Sequence, residues 1–84
     1  MARMDADCYA ELHERIDALC ERARRGAGPE LLEAMNEVLS EGYARALLDE
    51  RRIAAGGHCA GARSVQRLRA RLADMHERYL ALSP

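Results

Sequence analysis

The chain has 84 residues and a formal charge of −1, so it is one small domain without the excess positive charge that draws a protein to nucleic acid. It has no apolar run near the roughly 20 residues needed to cross a bilayer, and Met1 to Cys8 lack the apolar stretch of a signal peptide. Its apolar share of 49% is rich in Ala, with no Phe or Trp and only Tyr9, Tyr43 and Tyr79, so the core is light and self-association would supply useful extra burial.

The first predicted helix covers about 6–25. Asp5 or Asp7 is placed to cap it. Tyr9, Leu12, Ile16, Leu19 and Ala23 then recur at intervals of three and four, the spacing that stacks side chains on one helical face. Gly26-Ala27-Gly28-Pro29 ends it, because Gly can close a helix and Pro fits the first position of the next. The second helix covers about 30–55, with Glu30 and Glu33 at the positive end of its dipole. Leu32, Met35, Leu39, Gly42, Ala46 and Ile53 form its stripe, which Asp49 interrupts. Gly56-Gly57-His58-Cys59-Ala60-Gly61 breaks the pattern again. The third helix, about 62–82, carries Val65, Leu68, Leu72, Met75, Tyr79 and Leu82 as a heptad seam without a miss.

Short connections favour antiparallel neighbours, so the expected fold is an all-α, antiparallel three-helix bundle, one domain over 1–84 that self-associates. Laying the stripes side by side sets Leu12 against Gly42 and Leu68, Ile16 against Leu39 and Leu72, Leu19 against Met35 and Met75, and Ala23 against Leu32 and Tyr79. Gly42 opposite Leu12 implies a close helix approach. Leu31, Val38, Tyr43, Leu47 and Leu48 are left partly off the seam. Of these, Tyr43, Leu47 and Leu48 are the candidate partner-binding residues, for a second copy or another helical protein.

The chemistry-bearing residues give weaker patterns. Cys8, His58 and Cys59 fall at one end of the expected bundle, the placement of a third, weaker reading as a thiol or metal sensor, and Cys20 and His76 are expected near the other. None has the close-pair spacing of a structural metal site, and buried cysteine is commonly a small hydrophobe, so no metal or cofactor is expected. Ser40, Ser64 and Ser83 lack a legible His–acid pair, and Glu33, Glu37 and Glu41 read as a solvated ladder, so no catalytic set is assigned. Arg63, Arg67 and Arg71 form an i, i+4 row that could track phosphates. The competing reading is internal pairing, with Arg67 near Asp49 and Arg78 near Glu37. All 13 basic residues are Arg, as in GC-rich bacterial genomes, and the three cysteines are an odd number, against a secreted disulfide framework. The expected protein is a non-enzymatic cytoplasmic adaptor, chaperone or regulator, with nucleic-acid binding as the alternative.

Overall fold

A computed structural model describes residues 9–26, 28–56 and 61–83. It is a three-helix bundle, α1 (Ala10–Arg25), α2 (Pro29–Ala54) and α3 (Ala62–Leu82), with no strand among the described residues. Pro29 stands in the first turn of α2, where its missing N–H costs nothing. Gly26 and Gly56 close α1 and α2 at φ 143° and 93°, a region that side-chain-bearing residues rarely adopt. α1 begins a turn later than the expected start near residue 6, and the capping candidates Asp5 and Asp7 lie outside the described residues.

All three helices pack on one another, α2 and α3 most extensively. Leu12, Ile16 and Leu19 of α1 and Val65, Leu68, Leu72 and Met75 of α3 are buried, as their spacing predicts. Ile16, Leu39, Leu68 and Leu72 are each 5% exposed or less. The α2 stripe is wider than its periodicity suggested. Leu31 and Val38 are core residues, whereas Leu32 and Ile53 are half-buried. The reason is position: α2 touches both other helices, so it buries a broad arc instead of one seam.

Gly42 is buried at a close helix approach, but the facing residue is Leu72, not Leu12. A Cβ at Gly42 would lie 2.7 Å from Leu72 Cδ2 and 2.9 Å from Cδ1. Polar links fix the register around this crossing. Tyr9 reaches Asp49 and Arg15 reaches Glu41 between α1 and α2. Arg69 reaches Glu50 between α3 and α2, and Arg71 reaches Asp17 between α3 and α1.

Candidate interaction surface

Successive residues of an α-helix are turned about 100° from one another. Leu47 and Leu48 therefore diverge on the outward side of α2, where they are 50% and 46% exposed. Ala44 and Ser40 lie between and before them, both exposed. Tyr43 sits at the edge of this surface, half-buried toward α3, with its ring edge-on to His76 at 6.4 Å between centroids. Of the three residues expected to meet a partner, two are open and the third is shared with the core. On α3, Leu80 is 59% exposed, an apolar residue that the seam pattern passed over because it falls between Tyr79 and Leu82.

The arginine row divides. Each i, i+4 step turns about 40° around the helix, so a row that starts on the open face ends at a neighbour. Arg63 and Arg67 are exposed and make no ion pair among the described residues. Arg71 is drawn toward α1, where it donates to the Asp17 carboxylate and contacts His13 Nδ1 at 3.2 Å. Because a guanidinium only donates, His13 Nδ1 is the acceptor in that contact.

Asp49 is not a surface partner for Arg67. It is fully buried, accepting from the Tyr9 hydroxyl at 2.5 Å and from Arg45 Nε at 3.2 Å. Arg45 also lies over the Tyr9 ring, 5.4 Å from its centroid, a cation–π contact that covers the buried carboxylate. Arg78 pairs with Asp74 of its own helix at 3.7 Å instead of Glu37, and it lines a surface depression shared with Ala23 and Arg24 of α1. The Tyr9–Asp49 link is not legible in the sequence, where Asp49 stands out only as an interruption of the α2 stripe and is matched to Arg67.

Cys20 is a free thiol packed half-buried against the core. His76 stands between Tyr43 and Tyr79. Cys8, His58 and Cys59 lie outside the described residues. No group of three potential metal ligands occurs among the described residues, and no helix there is long and apolar enough to cross a membrane. A depression of about 190 Å³ between α1 and α2, lined by Ala18, Leu19, Ala34 and Val38 with Arg15 and Arg22 at its rim, is smaller than a typical small-molecule pocket. One of about 420 Å³ is lined by α2 alone, through Glu30, Glu33, Asn36 and Glu37, so it is a surface and not a cleft.

No family model, curated protein or solved structure matches the chain.

Proposed function

We propose that the chain is a non-enzymatic interaction module, an adaptor, chaperone or regulator that acts through helix packing. The observation that carries this reading is the exposure of Leu47 and Leu48 on the central helix, above a core that is closed without them. Side chains of this size destabilise nothing by being exposed, but each contributes roughly 1.5–3 kcal/mol when a partner covers it. The reading takes neighbouring helices as antiparallel. Residue 9 meets 49 while 15 meets 41, and 42 meets 72 while 50 meets 69, which supports that arrangement. All-arginine basic composition supports a bacterial host.

Affinity capture from the native host tests the proposal, comparing the wild-type chain with Leu47→Glu/Leu48→Glu. The expected result is a stoichiometric protein partner, or a second copy of the chain, retained by the wild type and lost by the variant at unchanged helicity. Equal capture by both would contradict it. Nucleic-acid binding remains the alternative reading, and it rests on Arg63 and Arg67, because Arg71 is engaged within the bundle. Salt-sensitive binding to random DNA that Arg67→Glu weakens would favour that alternative.

A further inference from the structure

Opposite the buried stripe of α2 runs a second one. Glu33, Glu37, Ser40, Ala44, Leu47 and Arg51 follow at intervals of four and three, and all are exposed. The stripe is acidic at its start, small-sided in the middle, and apolar then basic at its end. Glu33, Glu37, Arg51 and Arg52 make no ion pair among the described residues, whereas the neighbouring Glu41, Arg45 and Glu50 are satisfied within the bundle. The helix dipole favours acid in the first turn and base in the last, which covers Glu30 and Arg51. Its influence fades within a turn, so it does not account for Glu37, nor for the leucines left open between the charges.

We propose that a second copy of this chain docks on this face with its α2 antiparallel to the first, a deepening of the interaction reading above that rests on it. A stripe acidic at one end and basic at the other is complementary to itself when reversed, the condition for a two-fold interface. With Ala44 on Ala44, Arg51 of each copy falls beside Glu37 of the other, and Leu48 beside Ser40. The small side chains at the centre allow the axes to approach toward the lower end of the 8–10 Å range, and the leucines fill the space on either side. A parallel pairing would set Glu33 and Glu37 against their own copies and Arg51 against itself. One helix pair buries less than a standard interface of about 1,600 Å², so the association is reversible and concentration-dependent.

Sedimentation equilibrium of the full chain into the high micromolar range tests this. The expected result is a monomer–dimer equilibrium that Leu47→Glu weakens at least about tenfold, since each substitution enters the contact twice. Glu37→Arg alone and Arg51→Glu alone each weaken it, and combining them restores it, because the swapped charges face each other again. These positions are exposed, and circular dichroism verifies that each variant keeps its helicity. A wild-type chain that stays monomeric throughout would overturn the proposal. So would a dimer indifferent to Leu47→Glu and to the charge swap. Monomeric protein that still captures another partner through Leu47 and Leu48 would overturn the second copy while leaving the interaction reading in place.

Discussion

Asp49 has no exposed surface, and a carboxylate in that position destabilises a bundle unless its oxygens are paired. Tyr9 and Arg45 both donate to Asp49 Oδ2, and the Tyr9 bond ties the start of α1 to the last turns of α2. Tyr9→Phe keeps the ring and its contact with Arg45 but removes the hydroxyl donor. It should lower the unfolding free energy by about 1–3 kcal/mol, read from the denaturant midpoint. Arg15→Gln, which breaks the exposed pair with Glu41, should cost no more than about 1 kcal/mol. Equal effects from the two would show that the Tyr9 hydroxyl is not buried against Asp49. In the sequence, Asp49 reads only as an interruption of an apolar stripe. Finding its partner requires the reach of a tyrosine across a helix crossing, which spacing alone does not encode.

Among the elements, α3 was the most legible, because its apolar residues repeat on one narrow seam and the buried ones fall on it. α2 was less so. A helix held between two others buries residues on both flanks of its stripe, so Leu31 and Val38 entered the core although the periodicity left them aside. Gly42 was legible as a close approach, while its facing residue was not: the expected layer sets Gly42 beside Leu12 and Leu68, and a one-turn shift along α3 puts Leu72 there in place of Leu68. Gly42→Ala gains about 1 kcal/mol of helix propensity. It drives a methyl into the fully buried Leu72, where overpacking typically costs about 1–3 kcal/mol. Net destabilisation is expected in chemical denaturation, and a stabilised variant would mean that α2 and α3 are less close than described. Leu72→Ala should cost about 2–5 kcal/mol, and an unchanged midpoint would place the core elsewhere.

For the whole molecule, the bundle closes its core while leaving leucines on the outward face of its central helix. That surface was partly legible, since Leu47 and Leu48 stood off every core stripe. Tyr43 shares their flank position in the sequence, which does not reveal that α3 packs against its ring. The paired ends of the surface emerge only when charges held within the bundle are separated from those that are not. A second copy docked on the outward face of α2 makes that face the surface that responds to protein concentration. The most direct measurement is a dilution series of amide chemical shifts across the full chain. Concentration-dependent shifts are expected on the outward face of α2 alone, centred on Ala44 and extending to Glu37 and Arg51. Shifts that do not change with concentration, or that gather on α3 around Arg63 and Arg67, would contradict it.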